Sequence, residues 1–218
     1  MYWLLPCAKN SVLIAMKKLI ALLLLLIPMS LLSQNIDINI LRAIHSPETL
    51  TSDGFFRVVS NSNIFVITGV PVTMAIVGFA EHNNELLRNA CVTAAGTAIT
   101  YGITAALKYT VKRERPFVTY PEDIIDKSGH TNHDPSFPSG HASTAFATAT
   151  ALSLKYPKWY VIAPSFVYAG TVAYSRMDLG VHYPSDIFAG ALIGSGCAYL
   201  AHVVNKKLNS NSKKGRVQ

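Results

Sequence analysis

Five stretches of this chain lack any Asp, Glu, Lys or Arg, and each is close to the length of a membrane crossing. They are Ile64–Ala80, Ala90–Leu107, Ser139–Leu154, Trp159–Ser175 and Ile187–Asn205, of 16 to 19 residues each. A helix needs about 20 apolar residues to cross a bilayer. In a chain of 218 residues, five such helices leave too little polar surface to cover a soluble globule. Charged residues make up only 14% of the sequence, against about 25% in an ordinary soluble domain. The expected fold is therefore all-α: an integral membrane helical bundle with five or six spans. Gly96, Gly102, Gly190, Gly194 and Gly196 offer places for helix backbones to approach closely. Pro71 and Pro164 fall inside two of the stretches, where neighbouring helices can satisfy the carbonyls that proline frees.

Ahead of these stretches, Met16-Lys17-Lys18 is followed by the apolar run Leu19–Leu32 and then Ser33-Gln34. A basic start, a short apolar core and a small residue before a polar one describe a secretory signal. The expectation is a start at Met16 and cleavage after Ser33, with an uncleaved first span as the competing reading. Ser46-Pro47-Glu48 reads as a helix start, with Ser46 as N-cap. Phe55, Phe56, Val58 and Val59 suit either the membrane interface or the bundle. Beyond Leu208 the tail is polar and is expected to be disordered.

The net charge of +7 is concentrated in two clusters. One is the C-terminal group Lys206, Lys207, Lys213, Lys214 and Arg216; the other is Lys108, Lys112, Arg113 and Arg115. No aromatics interleave with these cations on a polar surface, which argues against nucleic acid. The basic turn Lys155–Lys158 and the basic tail place one face of the bundle in the cytoplasm. The segments Tyr109–Pro138 and Arg176–Asp186 then share the opposite face, where the cations around Arg115 violate the positive-inside rule. Such a violation gives those cations another task. The three cysteines, Cys7, Cys91 and Cys197, form no metal or disulfide pattern.

Three short patterns fall on that outer face: Lys108-x6-Arg115-Pro116, Pro138-Ser139-Gly140-His141, and Ser175-Arg176-x5-His182-x3-Asp186. Together they hold three cations, two imidazoles, one carboxylate and a Ser-Gly turn opening a helix. That inventory suits a tetrahedral oxyanion. Lys108, Arg115 and Arg176 neutralise a phosphate, the arginines through forked donors. The N–H groups near Ser139 and Gly140 add the field of a helix start. If a helix begins near Pro184, Asp186 lies one turn beyond His182 and is expected to reach the imidazole Nδ1, leaving Nε2 to attack. His141 supplies the proton that a leaving alcohol needs. The cations already stabilise the developing charge, so neither a metal nor a cofactor is required.

The ordered set resembles the signatures of the type 2 phosphatidic acid phosphatase (PAP2) family, whose helical core is shared with bacterial class A acid phosphatases and vanadium haloperoxidases. All eleven specified letters are present, in order, and the resemblance covers roughly Ile64–Val204. It implies His182 as the nucleophile forming a phosphohistidine, Asp186 as its orienter and His141 as the acid. It also implies Lys108, Arg115, Ser139, Gly140 and Arg176 as the phosphate-holding residues. Family members are metal-independent and typically act on lipid phosphates from the outer face of the membrane. The chain then divides into residues 1–33 (upstream extension and signal peptide or first membrane helix), 34–63 (interfacial or periplasmic segment), 64–205 (catalytic membrane domain) and 206–218 (basic tail).

The expected partners are a lipid phosphate and the membrane, here the cell (inner) membrane, with no obligate protein partner inferred. Candidate substrates are lipid A, undecaprenyl pyrophosphate, phosphatidylglycerophosphate and phosphatidic acid. The alternatives are a soluble periplasmic acid phosphatase and a vanadium-dependent haloperoxidase using the same residues. Around the motifs, Ser175 is open between packing and the site. Asp178 reads as a solvated or Arg-paired carboxylate, and Lys112, Arg113 and Glu114 as a solvated face. His130 and His133 with Asp134 read as a polar loop rather than a metal half-site. His45, His82 and His202 read as structural.

Overall fold

The computed structural model describes residues 17, 34–46, 48, 51–129 and 134–214. The segment proposed as a signal peptide, apart from Lys17, lies outside the described residues, as do Pro47, His130, His133 and Arg216. Among the described residues all regular secondary structure is helical, with no strand. There are six helices and one single turn: α1 Gln34–Ile44, α2 Thr51–Ala80, α3 Asn84–Val111, the turn α4 Pro116–Thr119, α5 Gly140–Lys155, α6 Trp159–Asp178 and α7 Pro184–Lys214.

Each charge-free stretch forms the body of one helix. Three helical segments, Ser52–Ala80, Asn84–Thr119 and Pro184–Asn209, are long and apolar enough to cross a membrane. Their outward faces carry large apolar side chains, with Phe65 74% and Phe79 77% exposed. So much exposed apolar surface is foreign to a water-soluble protein and natural against lipid. The chain is an integral membrane protein.

The inner packing depends on small residues. α5 contributes Ala142, Ala145, Ala147 and Ala149, and α6 contributes Ala169 and Ala173, all buried. A Cβ on Gly190 would stand 2.7 Å from the Ser139 carbonyl oxygen, and one on Gly194 would collide with the Ser143 carbonyl. α7 therefore lies directly on the backbone of α5. Gly102, by contrast, faces open space, so the expected close approach does not occur there. Pro71 and Pro164 sit within α2 and α6 without ending them.

Helix ends follow local chemistry. Asn83 caps α3, its side chain accepting from the N–H groups of Glu85 and Leu86 at 3.1 and 3.0 Å. Ser139 caps α5 by accepting from Ala142 N–H. The described part of α2 begins at Thr51; Pro47 and residues 49–50 lie outside the described residues. Ser46 Oγ accepts from Glu48 N–H at 3.3 Å, the bond an N-cap makes to the second residue beyond it. Phe55 and Val58 are exposed in the first turns of α2, while Val59 packs on the α5–α6 core. The polar tail expected to leave the fold continues α7 to Lys214.

Candidate active site

Successive long helices run in opposite directions, so the start of α2, the end of α3, the start of α5, the end of α6 and the start of α7 meet at one end of the bundle. They enclose a cavity of about 320 Å³. Lys108 on α3, Arg115 before α4, Gly140 and His141 at the start of α5, Arg176 on α6 and His182 before α7 all line it. Asn63, Thr104, Asp134 and Thr144 join them, with Ile64, Ile67, Tyr101 and Ala105 on the apolar side.

Each cation is fixed by neutral oxygens. Arg115 Nε donates to the Asp134 carbonyl at 2.8 Å and its Nη1 to the Val181 carbonyl at 3.3 Å. Lys108 Nζ donates to the Pro135 carbonyl. Arg176 Nη1 donates to Ser60 Oγ at 2.6 Å, while its Nε is buried without a partner. None of the three forms a salt bridge with a carboxylate among the described residues. Desolvated cations with no carboxylate in contact are costly, and all three line the same cavity.

His182 is 2% exposed. Its Nδ1 stands 3.5 Å from Asp186 Oδ2 and 3.3 Å from Ser136 Oγ. With Nδ1 committed on that side, Nε2 is the nitrogen left for the cavity. Burial, followed by the charges of Arg115, Lys108, Arg176 and His141, holds the His182 imidazole well below the usual value of 6.5. The neutral ring is accordingly favoured over the imidazolium.

Asp186 lies behind His182, completely buried. Its Oδ2 accepts from Tyr183 N–H at 2.9 Å and from the Ser136 hydroxyl. Its Oδ1 accepts from Arg113 Nη1 at 2.8 Å. Arg113 is therefore no part of a solvated face: its side chain is 11% exposed and paired with Asp186 and Asp37. The sequence reading missed Arg113, Asp37 and Ser136 because none occupies a specified motif position. The signal the sequence holds for Arg113 is its membership of the cation cluster Lys108, Lys112, Arg113 and Arg115 on the face where the positive-inside rule is broken.

Ser139, expected among the phosphate-holding residues, is fully buried and does not line the cavity. Its oxygen caps α5, and its N–H donates to the Asp186 carbonyl at 3.0 Å. Ser175 is likewise buried and donates to the Val172 carbonyl at 2.7 Å, which resolves it as packing. Asp178 is neither solvated nor Arg-paired. It is 6% exposed, and its Oδ2 has no hydrogen-bond partner. His45 is structural: Nε2 accepts from Ile125 N–H at 3.2 Å, which leaves Nδ1 to donate to the Asp178 carbonyl at 2.7 Å. No cluster of three or more His, Cys, Asp or Glu able to hold a metal occurs among the described residues.

The family model of the PAP2 superfamily matches residues 89–210, more than half of the chain. The chain belongs to the PAP2 superfamily. Among curated PAP2 relatives, the undecaprenyl-diphosphatase of Sulfolobus acidocaldarius is 37% identical over 94 residues, 43% of this chain and 44% of that protein. The lipid A 1-phosphatase of Porphyromonas gingivalis is 30% identical over 173 residues, 78% of this chain and 35% of that protein. The chain thus spans less than half the length of either relative. The crystal structure of Aquifex aeolicus LpxE superposes with a TM-score of 0.61 at 26% identity, covering 77% of this chain and 94% of that one. A transmembrane PAP2-type phosphatidylglycerolphosphate phosphatase from Bacillus subtilis superposes with a TM-score of 0.69 at 20% identity, covering 87% and 95%, a likeness of fold. In all, α3 to α7 carry the PAP2 match, whereas α1 and α2 precede it.

Proposed function

We infer that this PAP2 chain is a metal-independent phosphatase acting on a phosphate at the head of a membrane lipid. The observation that carries the reading is the cavity itself. Three unpaired cations surround a neutral, carboxylate-backed histidine, and apolar residues of α2 and α3 form the adjoining wall. That arrangement suits a phosphate attached to a hydrophobic tail.

In the proposed reaction, Lys108, Arg115, Arg176 and the backbone at Gly140 hold the phosphate oxygens. His182 Nε2 attacks phosphorus, and the bond to the lipid oxygen breaks with its electron pair. His141 gives that oxygen its proton. The phosphohistidine is then attacked by water, whose proton the now neutral His141 accepts, and phosphate leaves His182 free. Asp186 stabilises the positive charge that the His182 ring carries in the intermediate. Ser139 serves by setting the turn that presents Gly140 and His141.

Asn63 bears on the head group. The Thr144 hydroxyl donates to the Gly140 carbonyl at 2.9 Å, so its oxygen accepts from Asn63 Nδ2 at 3.0 Å. Asn63 Oδ1 is left buried without a partner beside the cavity. A lone acceptor favours a leaving group that offers a hydroxyl or amide N–H, as a phosphorylated amino sugar does, over the second phosphate of a polyprenyl diphosphate. The acceptor sets a lipid A phosphate above a polyprenyl diphosphate, and the lipid A 1-phosphatase that matches 78% of this chain ranks it first among the candidates that carry a hydroxyl. Basic Lys155 and Lys158 at the far end of the bundle favour a cytoplasmic position there, which turns the cavity to the periplasmic face of the inner membrane.

Phosphate release by the detergent-purified protein tests this reading, with EDTA present and lipid A, undecaprenyl pyrophosphate, phosphatidylglycerophosphate and phosphatidic acid as substrates. Release should survive EDTA, be fastest with lipid A and vanish in His182→Ala. Loss of activity in EDTA, or full activity in His182→Ala, would refute the mechanism.

A further inference from the structure

On the side of His182 away from the cavity, two buried carboxylates flank a partly buried guanidinium: Asp37 on α1, Arg113 after α3 and Asp186 on α7. Arg113 Nη2 donates to Asp37 Oδ2 at 2.8 Å, and Nη1 donates to Asp186 Oδ1 at 2.8 Å and to Ser185 Oγ at 2.7 Å. The guanidinium carbon lies 3.8 Å from the centre of the Tyr183 ring. Asp37 in turn accepts from Ser185 N–H at 3.0 Å and from the Ser185 hydroxyl. The carboxylates are 3% and 0% exposed, so neither has water as an alternative partner.

The division of labour within Asp186 gives this row its meaning. Oδ2 is shared among Tyr183 N–H, Ser136 and His182. Oδ1 is held by Arg113. A carboxylate gripped at one oxygen can swing about its χ2 axis; gripped at both, it cannot. A planar guanidinium can bridge two carboxylates, where a lysine ammonium is a point charge. α1 is amphipathic, with Ile38 and Leu41 buried beside Asp37, so the helix delivers that carboxylate to a fixed place.

We propose that Arg113 and Asp37 are positioning residues for the nucleophile: α1, which precedes the family-matched region, fixes Arg113 through Asp37, and Arg113 fixes the plane of Asp186 against His182. This rests on His182 and Asp186 being the nucleophile and its orienter. The row also sets the field at His182. With a cation between two anions its net charge is −1, so removing Arg113 makes the field at His182 more negative and removing the Asp37 charge makes it less so. The other groups facing His182 are Lys108 from α3, Arg115 from before α4, His141 from α5 and Arg176 from α6; all stay unchanged in both variants.

The test uses the full chain in detergent with lipid A as substrate, comparing wild type, Arg113→Gln, Arg113→Lys, Asp37→Asn and His182→Ala. Arg113→Gln should lower kcat on the order of 10- to 100-fold, as loss of an orienting outer partner does at other sites, with KM within about twofold. The acid limb of kcat/KM should move to higher pH in Arg113→Gln and to lower pH in Asp37→Asn. Arg113→Lys should lose less kcat than Arg113→Gln and leave the limb in place. A merely structural role would reduce the folded fraction and leave both limbs unmoved, which would overturn the proposal, as would wild-type kcat in Arg113→Gln. If Arg113→Gln does not fold, the downward limb shift in Asp37→Asn decides alone. Activity in His182→Ala would instead overturn the nucleophile assignment, a separate failure.

Discussion

At the scale of single residues, the site reduces to a histidine kept neutral among cations. Burial and four neighbouring positive or ionisable groups depress the His182 imidazole. Attack requires the neutral ring, so activity falls as pH drops through that depressed value. The acid limb of kcat/KM for the free enzyme is therefore expected below the ordinary imidazole value of about 6.5. The limb of kcat is expected at higher pH, because a bound phosphate offsets Lys108, Arg115 and Arg176. Full pH–rate profiles check this; a kcat/KM limb above 6.5 would contradict it. Lys108, Arg115, Gly140, His141, Arg176 and His182 were legible in sequence because they occupy specified motif positions, and all six line the cavity. Arg113, Asp37 and Asn63 were not, because they act through partners far along the chain. Asp37 meets Ser185 and Arg113, and Asn63 meets Thr144, and nothing in local spacing announces such pairs.

At the scale of elements, the position of the Pro138–His141 turn depends on how closely α7 lies against α5. Gly190 faces the Ser139 carbonyl and Gly194 faces the Ser143 carbonyl, one turn apart along α7. A methyl group at Gly194 must displace backbone, not a flexible side chain. Gly194→Ala is expected to destabilise the protein by about 1–3 kcal/mol, the usual effect of overpacking, seen as a lower Tm in detergent. Gly102→Ala, facing open space, serves as the control and should leave Tm unchanged or slightly raised. Equal Tm values for the two variants would refute the close-packing account. Both glycines looked alike in sequence. Small residues mark where helices can approach, but the facing element decides where they do.

At the scale of the whole molecule, alternating helix direction brings the chemistry to one end and basic residues to the other. The charge-free stretches made this architecture readable before any coordinates, since only a bundle in lipid tolerates five of them in so short a chain. Orientation can be checked by thiol labelling in intact cells, in a background without Cys7, Cys91 and Cys197. A cysteine at exposed Glu122, on the cavity face, should react with a membrane-impermeant reagent, whereas one at exposed Lys158 should not. The reverse pattern would place the cavity in the cytoplasm. The α1 helix and its Asp37 escaped a sequence-level assignment because Asp37 lies ahead of the stretch that carries the motifs and meets its partners, Arg113 and Ser185, only in the fold.

The central claim is that His182 becomes covalently phosphorylated. The direct measurement is to mix the enzyme with radiolabelled lipid phosphate, quench in alkali within the first turnovers and map the label. The account predicts an acid-labile, alkali-stable phosphoryl group on the peptide containing His182, absent from His182→Ala. Label on another residue, or none while product forms at the full rate through a measurable burst phase, would contradict it.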